Sequence, residues 1–359
     1  MNITQKQFMD TSKAEAFAEK VGGMLDAGAA ATIMSVGHRL GLFDVLAGRA
    51  PSTSTEIAAA ADLAERYVRE WLAAMTTAGV IEYQPDGQRY HLPAENAACL
   101  TRDAPLGNLA VYAQHIGLFG KVEDRTIRCF ETGEGTTYED YPCFHQIMAE
   151  DSGQTVTAQL FDHILPLAPG LDARLEAGID VLDAGCGRGS ALIAMAKRYP
   201  RSRFVGYDLC EDAIAHAKKA ARAEGLDNVV FETRDLTGYA EPLRWDLITS
   251  FDAVHDQKDP LGLVTGLCAS LRHGGVYLMQ DIGGSAYLEN NLDFPMATFL
   301  YTASLVHCTP VSIGQGGPGL GTMWGWETAE RFLHEAGFAS IERHVLPHDP
   351  MNVWFVARV

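Results

Sequence analysis

Histidine, aspartate and glycine recur in this chain at spacings that could do chemistry. In SFDAVHDQKDP, residues 250–260, His255 and Asp256 follow a short apolar run and stand just before a proline that opens a new segment. A histidine with a carboxylate beside it can act as a general base, because imidazole titrates near neutrality and the carboxylate steadies its charged form. In VLDAGCGRGS, Asp183 precedes Gly185, Gly187 and Gly189. Glycines at alternate positions let the backbone turn tightly and let a ligand approach its N–H groups. The run RFVGYDL ends in Asp208, followed by Leu209; about 20 residues past such a loop a carboxylate can accept two ribose hydroxyls. ETRDL ends a further strand-like run, where the Asp235 carboxylate could accept from a ligand's amino group and Leu236 donate through its backbone. His307 and Ser312 lie in YTASLVHCTPVSIGQGGPGLGTMWG, ahead of a glycine-rich stretch.

The elements that must carry these residues alternate from residue 178 onward. IDVLDAG, RFVGYDL, NVVFETRDL, WDLITSFDAV and VYLMQDI read as strands, separated by the helical patterns SALIAMAKRYP, EDAIAHAKKAARAEG and PLGLVTGLCASLRHGG. Such alternation predicts a parallel, doubly wound sheet, in which ligands bind outside the carboxyl ends of the strands. His255 then sits at the end of the fourth strand. A plainer role competes there: Asp256, or Asp259 ahead of Pro260, could cap the next helix with His255 merely packing nearby. ASIERHVLP and NVWFVARV close the chain as an expected antiparallel pair at the sheet edge.

Before residue 178 the pattern differs. Residues 22–100 read as several short helices followed by VIEYQPDGQRYHLP, two strand-like runs around the turn signal Asp86-Gly87, the outline of a winged helix-turn-helix. Residues 101–177 read as a helical linker and substrate cap. The expected division is therefore a winged-helix dimerisation domain (1–100), the linker (101–177) and a Rossmann-like catalytic domain (178–359).

Charge and composition narrow the partners. The chain has 359 residues, 47% hydrophobic, with a formal net charge of −18, enough apolar content for two cores and the wrong sign for a phosphate backbone. Between residues 21 and 100, five arginines face nine acidic residues, and the candidate recognition helix AERYVREWLAAMTTAG is mostly apolar beyond its first turns. Nucleic-acid binding is thus disfavoured and dimerisation preferred. Seven scattered cysteines without a C-x-x-C pair, a polar N-terminus MNITQKQFMD and no apolar run near 20 residues point to a cytoplasmic protein with no membrane association.

The G-x-G-x-G loop preceded by Asp183, with Ser190 where a dinucleotide fingerprint would want Gly or Ala, resembles the first motif of class I S-adenosylmethionine-dependent methyltransferases. With the winged-helix half, the whole chain resembles the plant-type small-molecule O-methyltransferases. The resemblance implies an α/β fold with a seven-stranded Rossmann-like sheet and S-adenosylmethionine as methyl donor, leaving S-adenosylhomocysteine. It also implies a small-molecule acceptor, a homodimer joined through the N-terminal domain, and His255-Asp256 as the family's base pair. FHQIMAEDSG resembles the segment in which a Met lines the acceptor pocket and a Ser approaches the methyl donor's carboxylate, positions held here by Met148 and Ser152. Two departures, Phe251 for a Lys and Gln257 for a Trp, point away from the phenols of plant enzymes.

The stretch around His307 also resembles bacterial secondary-metabolism methyltransferases. In that group, enzymes that C-methylate 2-oxo acids hold a metal with two or three histidines, and the 52-residue separation of His255 and His307 matches that pair. His145 is the candidate third ligand, and neutral imidazoles suit zinc or iron. Base-assisted O-methylation, metal-dependent C-methylation and a transcriptional regulator that senses S-adenosylmethionine are the three readings that follow.

Overall fold

The computed structural model describes residues 9–359; most of the polar opening decapeptide, and the start of the expected dimerisation domain, lie outside the described residues. The chain forms two compact units, one ending at Gly117 and one running from Leu118 to Val359, so the expected linker contributes to both.

The first unit contains α1 (Thr11–Arg39), α2 (Leu42–Leu46), β1 (Ser52–Thr53), α3 (Ser54–Ala61), α4 (Glu65–Thr77), β2 (Glu82–Gln84), β3 (Arg89–His91), α5 (Ala94–Ala97) and most of α6 (Ala110–Lys121). The helices expected over residues 22–100 are present, but the first of them is longer, a 29-residue helix begun by the Asp10 side chain accepting from the Ser12 and Lys13 N–H groups. Only at Gly41, in left-handed conformation, does the chain break before α2. A reciprocal Thr53–Glu56 capping box starts α3. In α4, Val68, Trp71, Leu72 and Met75 recur at helical spacing and all are buried, with Trp71 Nε1 donating to Ile33 O at 2.9 Å. That burial spends the helix's apolar face inside the unit. Its Arg66 and Arg69 pair with Glu70 and Glu65 along the same helix. The wing is a three-stranded antiparallel sheet in the order β1-β3-β2.

The second unit opens with α7 (Glu123–Thr132), α8 (Phe144–Thr155) and α9 (Leu171–Ala177). The alternating part follows as β4 (Asp180–Ala184), α10 (Ser190–Arg198), β5 (Arg203–Asp208), α11 (Glu211–Ala223), β6 (Val229–Thr233), β7 (Trp245–Phe251), α12 (Pro260–Ser270) and β8 (Leu271–Ile282). Then come α13 (Ala297–Ala303), α14 (Thr309–Gly314), α15 (Trp326–Glu335), β9 (Ser340–Leu346) and β10 (Asp349–Arg358).

These strands form one seven-stranded sheet, β6-β5-β4-β7-β8-β10-β9, parallel except for β10, which runs antiparallel to both its neighbours. The last strand thus inserts beside β8 and leaves β9 at the edge. Its sequence explains the insertion, since Trp354 and Val356 face one apolar layer while Val353, Phe355 and Ala357 face the other. A strand apolar on both faces belongs inside a sheet covered on both sides. One expected boundary shifts. The helical pattern through LRHGG ends at Ser270, and β8 starts at Leu271.

Candidate active site

The glycine loop leaves β4 and enters α10 with Gly185, Gly187 and Gly189 all in left-handed conformation, at φ of 79°, 51° and 74°. A Cβ at Gly185 would meet the Ala253 methyl at 2.5 Å, and one at Gly189 would meet the Phe231 ring at 2.4 Å. At Gly187 it would meet nothing within 4 Å. Two glycines therefore close the turn against protein, and the middle one borders open space. Its N–H donates to Asp208 Oδ2 at 2.8 Å, while Cys210 N–H donates to Asp208 Oδ1 at 2.9 Å. Each carboxylate oxygen of Asp208 keeps accepting capacity beyond its one backbone bond. A ribose at the end of β5, with a polar tail over Gly187, fits these groups.

Asp183, 2% exposed, accepts from Thr249 Oγ1 at 2.8 Å. Burial, reinforced by Asp208 nearby, pushes its carboxyl up to about 7. Asp235 is exposed just beyond β6, its Oδ1 accepting from the Thr237 N–H at 2.8 Å, and the Leu236 side chain is buried in the core. Leu209 is exposed, and Met148 and Ser152 lie half-buried on α8.

Beyond β7 the chain turns sharply at Asp252, a non-glycine residue at φ 54°, and delivers His255 into the interior, 2% exposed. Three carboxylates surround the imidazole. Asp281, fully buried at the end of β8, accepts the Nδ1–H at 2.8 Å through Oδ1, which also accepts from Ile282 N and Trp324 Nε1. Asp256 Oδ1 lies 3.4 Å from Nε2 without forming a hydrogen bond, and Asp252 Oδ1 lies 3.9 Å from Nδ1. Burial opposes charge on the ring, but Asp281 and Asp256 outweigh it and hold the imidazole well above its ordinary pKa. Burial, and then Asp281, Asp256 and Asp151, keep the Asp252 carboxyl above the usual range against the pull of His255.

The helix after this loop is capped by Asp259, whose Oδ1 accepts from Gly262 N at 3.0 Å, with Pro260 in the first turn. Capping therefore leaves Asp256 unclaimed. Its Oδ2 instead accepts from the Tyr138 hydroxyl at 3.2 Å and lies 3.9 Å from His307 Nδ1. His307 rides on a single π-helical turn, Ser304–Cys308, and its ring stacks on Phe144 with centroids 3.9 Å apart. Ser312 Oγ donates to Gln257 O at 3.1 Å and accepts from Gly319 N at 3.2 Å, which ties the glycine-rich stretch to the histidine loop.

The expected residues thus fall into two clusters. His255, Asp256 and His307 come together, with Cys308 Sγ close enough to join His255 and Asp256 as a potential ligand. His145 does not join them. It sits over the end of β5, grouped with Asp208 and Cys210, its Nδ1 3.1 Å from Asp212 Oδ2. Among the described residues, those near enough to share an ion with His255 are Asp256 with Cys308, or Asp252 with Asp281; His307 joins neither group and meets Asp256 at 3.9 Å, so the nitrogen, oxygen and sulfur set that suits zinc or iron is His255, Asp256 and Cys308. Two residues escaped the sequence reading. Asp281 had a signal, a carboxylate ending an otherwise apolar strand; Tyr138, in the unpatterned segment before α8, had none.

Comparison with known proteins places this geometry. Residues 28–102 match the model of the Rv2258c-like winged HTH domain, and residues 175–337 match that of a methyltransferase domain. A trans-aconitate 2-methyltransferase of Acidovorax sp. (strain JS42) is 30% identical over 115 residues, 32% of this chain and 40% of that protein. A ubiquinone biosynthesis O-methyltransferase of Leptothrix cholodnii is 31% identical over 109 residues, 29% of this chain and 45% of that protein. The match spans less than half the length of either relative. Among solved structures, human N-acetylserotonin methyltransferase in complex with SAM shares the fold over 100% of this chain and 99% of its own, with a TM-score of 0.66 and 15% identity. The mitomycin 7-O-methyltransferase MmcR does so over 98% and 100%, with a TM-score of 0.65 and 18% identity. The chain thus carries an Rv2258c-like winged HTH domain and, within its second unit, a methyltransferase domain.

Proposed function

We propose that the protein methylates a small-molecule acceptor at oxygen, with His255 as general base and Asp281 as the residue that orients it. When bound, S-adenosylmethionine supplies a methyl group on a sulfonium, open to in-line attack by a nucleophile. Asp208 accepts the ribose hydroxyls, and the Gly187 loop lets the polar tail lie against the backbone. Asp235 and Leu236 take the adenine edge, and Ser152 and Met148 on α8 face the tail and the acceptor. His255 Nε2 removes the acceptor's hydroxyl proton as the oxygen–methyl bond forms and the sulfur–methyl bond breaks. Asp281 fixes the tautomer by holding the Nδ1 proton and stabilises the imidazolium that results. The carrying observation is the 2.8 Å contact between His255 Nδ1 and Asp281 Oδ1, which reserves Nε2 for chemistry.

The second reading, metal-dependent C-methylation of a 2-oxo acid, is favoured by one observation: the Asp256 carboxylate stands between His255 Nε2 and His307 Nδ1, at 3.4 and 3.9 Å. A zinc or iron ion held by these three would acidify the carbon beside a keto group. Assaying S-adenosylhomocysteine release with phenols and 2-oxo acids, before and after EDTA, separates the two. O-methylation of a phenol that survives chelation and is lost in His255→Ala supports the base. Equal, chelator-sensitive loss in His255→Ala and His307→Ala overturns it.

A homodimer through the N-terminal helices fits the exposed side chains of Phe17, Met24 and Leu25 along α1. A cytoplasmic setting fits the seven free cysteines, and no helix among the described residues is long and apolar enough to cross a membrane.

A further inference from the structure

We propose that His145, Asp208 and Cys210 form a site for a soft divalent cation, zinc by its chemistry, whose occupation excludes the methyl donor. One nitrogen, one oxygen and one sulfur ligand atom from these residues lie within 4.8 Å of one another. Ligands about 2.0 to 2.3 Å from a tetrahedral zinc stand roughly 3.3 to 3.8 Å apart, so the set closes with about 1 Å of side-chain adjustment. Mixed nitrogen, oxygen and thiolate ligation suits zinc and fails to suit calcium or magnesium, which take oxygen.

The surroundings favour the same cation. Asp212 Oδ2 lies 3.1 Å from His145 Nδ1, and a carboxylate on one ring nitrogen orients the other toward a metal. Cys210 stands at the start of the 13-residue α11, where the helix terminus favours a thiolate. Binding of the cation ionises the thiol. The S–H bond breaks, the zinc–sulfur bond forms, and the proton leaves to solvent. No oxidant or reductant takes part.

The inhibitory consequence rests on the proposed role of Asp208 at the ribose; the metal site itself does not. One carboxylate, already accepting from Gly187 and Cys210 N–H groups, cannot serve both a zinc ion and two ribose hydroxyls.

Cobalt titrated into the metal-free protein tests the site directly. A sulfur-to-cobalt absorption band should appear at one ion per chain, disappear in Cys210→Ser, weaken in His145→Ala and be bleached by zinc. Calorimetry with S-adenosylhomocysteine should then show at least a tenfold loss of apparent affinity at saturating zinc in the wild type and none in Cys210→Ser, whose own binding of S-adenosylhomocysteine certifies its fold. No band, a band that survives Cys210→Ser, or unchanged affinity in zinc overturns the proposal. If Asp208→Ala keeps wild-type affinity for S-adenosylhomocysteine, the ribose reading fails, and the cobalt band alone decides the cation site.

Discussion

His255 Nδ1 and Asp281 Oδ1 lie 2.8 Å apart, joining the loop after β7 to the end of β8, two strands that are neighbours in the sheet. The parallel register Phe251↔Gln280 brings their carboxyl ends level. Asp281 Oδ1 accepts from three donors there, so it is a fixed post rather than a mobile counter-ion.

The titration of His255 should follow from that post. Against the effect of burial, Asp281 and Asp256 hold its imidazole above the ordinary value, so its competence as a base grows as pH rises. An NMR titration of the His255 ring protons in Asp281→Asn should show the midpoint falling by a unit or more, a loss of at least about 1.4 kcal/mol of charge stabilisation. The acid limb of turnover should move down with it, and its plateau should drop. An unmoved midpoint would mean that Asp281 does not hold the charge on the ring.

Asp208→Ala should weaken S-adenosylhomocysteine binding by about 10- to 100-fold, since hydrogen bonds to a charged group contribute about 1.5 to 3 kcal/mol. Asp208→Asn, which keeps the shape, should lose less. Isothermal calorimetry reads both, and needs no knowledge of the acceptor.

Asp183 should make stability fall as pH rises. Its folded value of about 7 lies above the ordinary 3.8, so the folded state holds that proton more tightly. Stability from this group is complete below about 4 and is lost as pH climbs to about 7, by up to roughly 4 kcal/mol. Asp183→Asn removes the dependence. In scanning calorimetry the wild type should lose more Tm than the variant between pH 5 and pH 8, and parallel curves would contradict the assignment.

Phe17 and Met24 lie seven residues apart on α1, with half-buried Val21 between them, the spacing of a helix-pairing seam. Phe17→Glu with Met24→Glu should convert a dimer to monomer by light scattering, without lowering the Tm of the second unit. A wild-type monomer at micromolar concentration would end the proposal.

The cluster proposed to take the methyl donor was legible because strand ends and glycines are local signals. Asp183, Gly187 and Asp208 announce themselves through an apolar run that stops at a carboxylate or a turn. The other half was only partly legible. His255 stood out, but its partner Asp281 comes from a different strand, and only sheet order makes them neighbours. His145 was grouped with the wrong histidines because helical spacing says which residues share a face and nothing about where α8 docks. The long α1 was missed for a related reason, as most of its first 19 residues are exposed and carry no apolar periodicity.

Backbone meets backbone where the segment before Tyr138 crosses α14. A Cβ at Gly135 would fall 2.0 Å from Gly314 N, one at Gly314 would fall 1.9 Å from Thr136 O, and Thr136 N–H donates to Pro310 O at 2.8 Å. Tyr141 adds its hydroxyl to Val306 O at 2.7 Å. Tyr138 and His307 are thereby mounted on two segments fastened together at their crossing. Any side chain larger than hydrogen at Gly135 or Gly314 would have to part those segments, so two glycines remote from the imidazoles set how near Tyr138 and His307 stand.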